Sequence, residues 1–276
     1  MARVLDLAAD PAERLRSAKA YIFDMDGVLY RGLAPLPGAI ELFAALELRG
    51  IDYRLATNNS TMTPHQYVEK LAAMGIDVDD SVIVTSGGAT RQYLEHSLPP
   101  NSPVLVIGEP ALAAQLFQTA YLQPASEGDG GIAAVVVGLD REFTYSKLYA
   151  ANLAIRGGAR FIATNADVTL PTEVGLVPGC GSIIAAIAAS TSQAPEVVGK
   201  PESHLFDIAC ELMQVRPQDT VAIGDRLDTD IVAANRVGAL SVMVLTGVST
   251  RDEIAIFPDK PELVFTDLNA ILDAIV

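Results

Sequence analysis

The chain has 276 residues, enough for one large domain or two modest ones with real cores. Half of them are hydrophobic and mean hydropathy is +0.31. Yet no run reaches the ~18 uninterrupted apolar residues of a membrane helix, and Arg3, Glu13, Arg14 and Arg16 break up any signal-type leader, so a cytoplasmic protein with no membrane partner is expected. A formal net charge of −15 argues against nucleic acid as a partner, and two cysteines, Cys180 and Cys210, are too few for a disulfide framework or a thiolate metal site.

Residues 1–19 read as a short helical lead-in to an apolar strand, Ala20 to Phe23, that ends abruptly in Asp24. Alternate side chains of an extended chain share a face, so Asp24 and Asp26 can point the same way, and Gly27 lets the backbone turn after them. Tyr30 to Leu36 is expected as a loop. Pro37-Gly38 opens a helix with apolar positions at Ile40, Phe43, Ala44, Leu46 and Leu48, stopped by Gly50. A strand, Tyr53 to Ala56, runs into Thr57-Asn58-Asn59-Ser60. The next helix has Thr63 as N-cap, Pro64 at its first position and Gln66 completing a capping box, and ends at Gly75. Strand Val82 to Thr85 and helix Gly87 to Glu95 follow.

Pro99-Pro100-Asn101-Ser102-Pro103 is the clearest linker, and beyond it the alternation restarts. Strands are expected over 104–107, 133–137 and 160–163, and helices over 110–119 and 144–156. Glu127 to Gly131 is a surface turn, Thr164 to Pro178 an irregular segment, and Gly181 to Ala189 a helix leading to a return linker at Gln193-Ala194-Pro195. Residues 104–193 therefore read as a second α/β unit inserted into the first. With the linkers assigned, the insert is 101–193 and the main unit is 1–100 with 194–276. A short strand at Val197-Val198 ends in Gly199-Lys200-Pro201, and a helix spans Ser203 to Met213. Strand Thr220 to Ile223 ends in Gly224-Asp225. Asp228 or Thr229 caps a helix that runs through Arg236 to Gly238, and strands at 240–245 and 263–265 close the chain, each with a helix after it. The pattern predicts an α/β fold with a mostly parallel sheet, whose ligands sit beyond the carboxyl ends of the strands.

Four polar groups share that address: Asp24/Asp26, Thr57-Asn58, Lys200 and Asp225 each stand at or just past the end of a short apolar strand. The set suits phosphoryl transfer. Asp24, Asp26 and Asp225 offer oxygen to a hard cation, for which Mg²⁺ is the natural choice. Thr57 and Asn58 sit at a strand-to-helix junction, where free N–H groups can receive phosphate, and Lys200 supplies a positive charge. Singly, each has a plainer reading: Asp228 and Asp230 favouring a helix start, Thr57 an ordinary turn residue, Lys200 a solvated loop lysine.

Taken in order, these stretches resemble the four motifs of the haloacid dehalogenase superfamily: Asp24-Met25-Asp26-Gly27-Val28-Leu29, Thr57 in Ala-Thr-Asn-Asn-Ser, Gly199-Lys200-Pro201, and Gly224-Asp225-Arg226-Leu227-Asp228-Thr229-Asp230. The insertion between the second and third motifs, with Pro178-Gly179-Cys180-Gly181-Ser182, is similar to the class IIA branch, the NagD-like and 4-nitrophenylphosphatase-like phosphatases. The resemblance implies a Rossmann-like parallel-sheet core with an inserted α/β cap domain of C2 type. It implies Asp24 as nucleophile, forming an aspartyl-phosphate, and Asp26 as the acid that protonates the leaving oxygen and then activates water. Thr57, backbone groups near Asn58, and Lys200 would hold the phosphoryl oxygens. Asp24, the carbonyl of Asp26, and Asp225 would bind Mg²⁺, with Asp230 supporting them through water or Lys200. The second aspartate marks the family's phosphatases and mutases, so Asp26 favours a phosphate ester, and the large cap favours hydrolysis.

Asn165 and Asp167, in the stretch that runs on to Pro178, match the family's specificity loop, although local turn chemistry accounts for them equally well. Pyridoxal-phosphate phosphatases of the branch carry histidine where Leu170 stands here, which weighs against that substrate and toward phosphoglycolate, 4-nitrophenyl phosphate, or nucleotide and sugar phosphates. The expected partner is a small-molecule phosphate ester, and a homodimer through the cap is a possible assembly. Two other readings compete: a phosphotransferase that passes the phosphoryl group to another acceptor, and a non-catalytic regulatory protein on the same fold.

Overall fold

The computed structural model describes residues 10–172 and 175–275. The start of the expected lead-in, residues 1–9, lies outside them; its remainder forms the helix Pro11–Ser17, with Asp10 accepting from the Ala12 N–H. Among the described residues no helix is long and apolar enough to cross a membrane. The chain divides into two compact units. One comprises Met1–Leu55, Ala72–Ile76 and Ala209–Val276; the other comprises Ala56–Leu71 and Asp77–Ile208.

In the first unit the strands Leu263–Phe265, Leu240–Val244, Thr220–Gly224, Ala20–Phe23 and Asp52–Thr57 stand side by side in that order, all parallel. The last begins in this unit, and its final two residues belong to the other. The strands at 20–23, 220–224 and 240–244 are buried along their whole length, as their largely apolar runs lead one to expect of a sheet covered on both faces. Phe23, Phe43 and Tyr53 meet ring to ring in the core, with centroids 4.8–6.4 Å apart. Tyr30–Leu36 is a small antiparallel hairpin, Tyr30–Arg31 with Ala34–Pro35, rather than a plain loop; Gly32, at φ +63°, makes its turn.

The second unit holds its own parallel sheet, in the order Glu196–Val197, Arg160–Ala163, Ala134–Val137, Ser102–Ile107, Leu122–Ala125. Leu105, Ile107, Val135, Val137 and Phe161 pack there against the helices Tyr145–Arg156 and Cys180–Thr191. The first strand starts at Ser102, inside the stretch expected as linker. Leu122–Ala125 was not expected as a strand, because Pro124 interrupts it; the position is tolerated since this strand lies at the sheet edge. The segment expected to be irregular contains a hairpin, Thr169–Thr172 paired with Gly175–Pro178.

The turn after Asp225 also differs from expectation. Asp228 caps nothing: its carboxylate pairs with the Arg226 guanidinium at 3.0 Å. Leu227–Ile231 is a single wide π-type turn, with Ile231 N–H on the Arg226 carbonyl at 3.2 Å, and the α-helix proper is Val232–Val237, closed by Gly238 at φ +78°.

Candidate active site

The first unit gathers the acidic residues. Asp24 follows Phe23, which lies level with Ile223 on the neighbouring parallel strand, and the Asp24 N–H donates to the Ile223 carbonyl at 2.9 Å. Asp225 follows Gly224 at the end of that second strand, so the two aspartates emerge from adjacent strands at one edge. The wide turn then brings Asp230 back. Carboxylate oxygens of Asp24, Asp225 and Asp230 all lie within 4.8 Å of one another. Asp225 is 2% exposed and Asp230 4%. Three like charges this close and this dry repel strongly unless a cation or a proton intervenes.

The backbone has made room for them. A methyl group on Gly247 or Gly27 would run into the Asp225 carboxylate, and one on Gly224 into Asp230. Gly27 also sits at φ +83°, a conformation that other residues resist. The Val248 N–H donates to Asp225 Oδ2 at 2.7 Å and the Arg226 N–H to Asp230 Oδ2 at 3.1 Å, which fixes both side chains from behind. A rigid, buried, all-oxygen donor set in a glycine-lined cradle fits a hard divalent cation. Asp26 is not one of the three grouped carboxylates. Its side chain is exposed and accepts a hydrogen bond from the Tyr30 hydroxyl at 3.2 Å.

The second unit gathers the remaining expected residues around Asn58. Its Oδ1 accepts the Lys200 N–H at 2.7 Å, and its Nδ2 donates to the Lys200 carbonyl at 2.9 Å and reaches Asp167 Oδ2 at 3.5 Å. Its own carbonyl accepts from Ser86 Oγ at 2.6 Å and Asn165 Nδ2 at 2.9 Å. The side chain of Asn58 is thus committed to Lys200 and Asp167. Asn165 Oδ1 turns the chain by accepting the Asp167 N–H at 3.1 Å. Lys200 is no solvated loop residue: it is 2% exposed, and its ammonium donates to the Ala56 carbonyl at 2.9 Å. Thr57 is buried, with Oγ1 accepting the Asn59 N–H at 3.1 Å. Gly199 allows the crossing, since a side chain there would strike the Thr164 carbonyl and Asn58 Oδ1.

Sequence reasoning did not single out Tyr30, Gly247 or Val248. The last two had a signal: Thr246-Gly247-Val248-Ser249 follows an apolar strand end, the same address as the four motifs. Tyr30 had none, because its bond to Asp26 depends on the local turn. Cys180 lies nearby in sequence, but burial pushes its thiol up to about 12, which leaves it protonated and inert at neutral pH. A cavity of about 390 Å³ opens over the strand Ser102–Ile107, and none of the expected site residues lines it.

Comparison with known proteins places this geometry in a family. Residues 21–121 match the model of haloacid dehalogenase-like hydrolases, and residues 197–271 match a second model of hydrolases of that kind. An acid sugar phosphatase from Staphylococcus haemolyticus is 36% identical over 94% of this chain and 97% of its own length. The crystal structure of 4-nitrophenylphosphatase from Thermotoga maritima is 33% identical, with TM-score 0.89 over 95% of this chain and 99% of that one. That of glycerol phosphate phosphatase from Mycobacterium tuberculosis, in complex with magnesium, is 34% identical, with TM-score 0.87 over 94% of this chain and 77% of that one. With motifs, fold and full-length relatives in agreement, the chain belongs to the haloacid dehalogenase-like hydrolases, among the phosphatases of the NagD-like and 4-nitrophenylphosphatase-like branch.

Proposed function

We propose that this chain is a Mg²⁺-dependent phosphomonoester hydrolase that works through an aspartyl-phosphate on Asp24 and acts on small phosphorylated sugars or polyols. The observation that carries the reading is the cluster of Asp24 with the buried Asp225 and Asp230 in its glycine cradle. The relatives' names, acid sugar phosphatase and glycerol phosphate phosphatase, support the substrate class.

An Asp24 carboxylate oxygen attacks phosphorus, and the bond from phosphorus to the ester oxygen breaks. The Asp26 carboxyl gives its proton to the departing alkoxide. Water then attacks the phosphorus of the aspartyl-phosphate, Asp26 takes the proton back, and inorganic phosphate leaves with Asp24 restored. Tyr30, on Asp26 Oδ2, orients the carboxyl for both transfers. Asp24 and Asp225, with the Asp26 carbonyl, would hold the ion, and Asp230 keeps Asp225 company beside them. When bound, Mg²⁺ neutralises phosphate charge so that an anionic nucleophile can approach. Backbone N–H groups at Thr57 and Asn58 receive phosphoryl oxygens, and Lys200 offsets the negative charge of the phosphoryl group. Asn58 serves by fixing Lys200 in place.

Residues 101–193 act as the cap, and the paired strands Thr169–Thr172 and Gly175–Pro178, with Asn165 and Asp167 at their approach, select the leaving group. Leu170, standing where pyridoxal-phosphate phosphatases of the branch carry histidine, weighs against that substrate.

The test is phosphate release from a panel of 4-nitrophenyl phosphate, glycerol phosphate, phosphoglycolate, sugar phosphates, nucleoside monophosphates and pyridoxal phosphate, with Mg²⁺ and with EDTA. Expected is EDTA-sensitive release, fastest from glycerol or sugar phosphates. Release that ignores EDTA, or none from any member, would overturn the mechanism; a preference for pyridoxal phosphate would overturn the assignment of the hairpin.

A further inference from the structure

The loop that follows the strand Leu240–Val244 joins two parts of the site that the sheet keeps apart. That strand does not neighbour Ala20–Phe23, because Thr220–Gly224 runs between them. The turn after Asp24 and the loop 245–249 therefore leave the sheet on either side of Asp225. Yet they meet. The Thr246 hydroxyl donates to the Gly27 carbonyl at 2.6 Å, and the Arg31 guanidinium donates to the Thr246 carbonyl. Gly247 lies close to both neighbours: its own Cβ would strike the Asp225 carboxylate, and a Cβ on Gly27 would stand 3.1 Å from the Gly247 Cα.

Beyond Gly247 the loop grips the Asp225 segment. The Val248 N–H donates to Asp225 Oδ2 at 2.7 Å, and the Ser249 N–H donates to the Asp225 carbonyl at 3.0 Å. Ser249 Oγ accepts the Leu227 N–H at 3.1 Å. On the other side, the Gly27 N–H donates to the Tyr30 carbonyl at 2.9 Å. A peptide unit is planar, so that bond also directs the Asp26 carbonyl. The Asp26–Gly27 peptide and Asp225 are thus both tied to the four residues Thr246 to Ser249, all within the first unit. Such ties matter here. Glycines leave both segments soft, and the crowded carboxylates of Asp24, Asp225 and Asp230 push the loops apart.

We propose that Thr246 and Ser249 are positioning residues of this site, holding the Asp26 turn and Asp225 at the separation a divalent ion needs before the ion arrives. Thr246 fixes the Asp26 side through the Gly27 carbonyl, and Ser249 fixes the Asp225 side. Both act through other residues rather than on the substrate. The proposal rests on the metal-dependent phosphatase reading, and it extends the site to a loop that carries none of the reacting groups.

Calorimetric titration of the full chain with Mg²⁺ alone tests it, together with melting temperature and phosphate release from 4-nitrophenyl phosphate. Thr246→Val keeps the shape of the side chain and removes the hydroxyl. Mg²⁺ affinity should fall about 10–100-fold, as when groups that orient metal ligands are lost. At saturating Mg²⁺, kcat should fall about tenfold while KM changes less than about threefold. The melting temperature without Mg²⁺ should hold. Thr246→Ser, which keeps the hydroxyl, should recover wild-type affinity. Ser249→Ala should weaken Mg²⁺ binding about tenfold, and it decides the matter should Thr246→Val not fold. Wild-type affinity in Thr246→Val or in Ser249→Ala would overturn the proposal and leave the metal reading intact. A loss that Thr246→Ser does not recover, or that comes with a lower melting temperature without Mg²⁺, would also overturn it, by making the role one of folding. A wild type that binds no Mg²⁺ would overturn the metal reading and the proposal with it.

Discussion

The acidic cluster of the first unit and the amide-centred cluster of the second are built on opposite principles. Around Asp24, Asp225 and Asp230, like charges are crowded into a cradle that only glycines leave open. Around Asn58, donors meet acceptors: two bonds to the backbone of Lys200, one from Ser86, one from Asn165. The first cluster stores electrostatic repulsion that a ligand must relieve; the second stores none and works as scaffold. The difference separates residues whose loss should cost chemistry from residues whose loss should cost stability first.

The sharpest way to break the comparison is at Asp24. Asp24→Asn removes the proposed nucleophile and one of three crowded negative charges. Turnover should fall at least about 10³-fold while the folded protein becomes no less stable. Measured by phosphate release and urea denaturation, wild-type turnover would disqualify Asp24, and a large loss of stability would contradict the claim that the cluster is repulsive. Gly247→Ala attacks the same cluster through its cradle. The added methyl collides with the Asp225 carboxylate without altering any charge. Mg²⁺ affinity, read by calorimetry, should drop about 10–100-fold, the range seen when the groups that orient metal ligands are disturbed. Unchanged affinity would mean that Asp225 does not need its present position.

Asn58→Ala probes the other cluster. It removes both amide bonds to the Lys200 backbone and should lower the free energy of unfolding by about 1–3 kcal/mol. Turnover should fall as well, because Lys200 loses its fixed position, but Mg²⁺ affinity should hold. A variant as stable as wild type would show that other contacts position Lys200 unaided.

How far each cluster was legible in the sequence follows from the range of the interactions that build it. Asp24 and Gly27 could be read from one strand end and its turn, because the physics is local: a polar residue just past an apolar strand and a glycine at positive φ; alternation did not apply to Asp26, because the strand ends at Phe23. Strand ends supplied Asp225 and Lys200 by the same rule. The Thr63 and Gln66 capping box was legible for the same reason, and both of its bonds form, at 2.8 and 3.3 Å. Asn58 could be flagged but not understood, since its side-chain partner lies 142 residues away. Asp228 was misread as a cap because Arg226, two residues back, competes for it, and because a one-residue widening of the turn carries Asp230 toward Asp225 instead. Leu122–Ala125 was lost to Pro124, which speaks against a strand unless the strand is known to be an edge.

The smallest expected effect lies in the approach to Lys200, at Glu196. Its carboxylate is held below the usual range chiefly by the hydrogen bond from Arg160, with the Tyr93 hydroxyl assisting and burial opposing. Arg160 in turn lies 5.1 Å from the centre of the Tyr93 ring, so the strands Arg160–Ala163 and Glu196–Val197 and the helix Ser86–Ser97 are tied at one point. A depressed folded-state pKa means that the pairing stabilises the fold above the unfolded value, near 4.5, and that this contribution fades as pH falls through the folded one. Glu196→Gln should therefore melt slightly below wild type at about pH 6 and converge with it toward about pH 3. Because the Glu196 side chain is 49% exposed, solvent screens the pair, and the gap at about pH 6 should be no more than a degree or two. A gap that persists unchanged in acid would assign it to lost packing rather than to charge. In that case the second unit's scaffold, unlike the first unit's acidic cluster, is indifferent to protonation throughout.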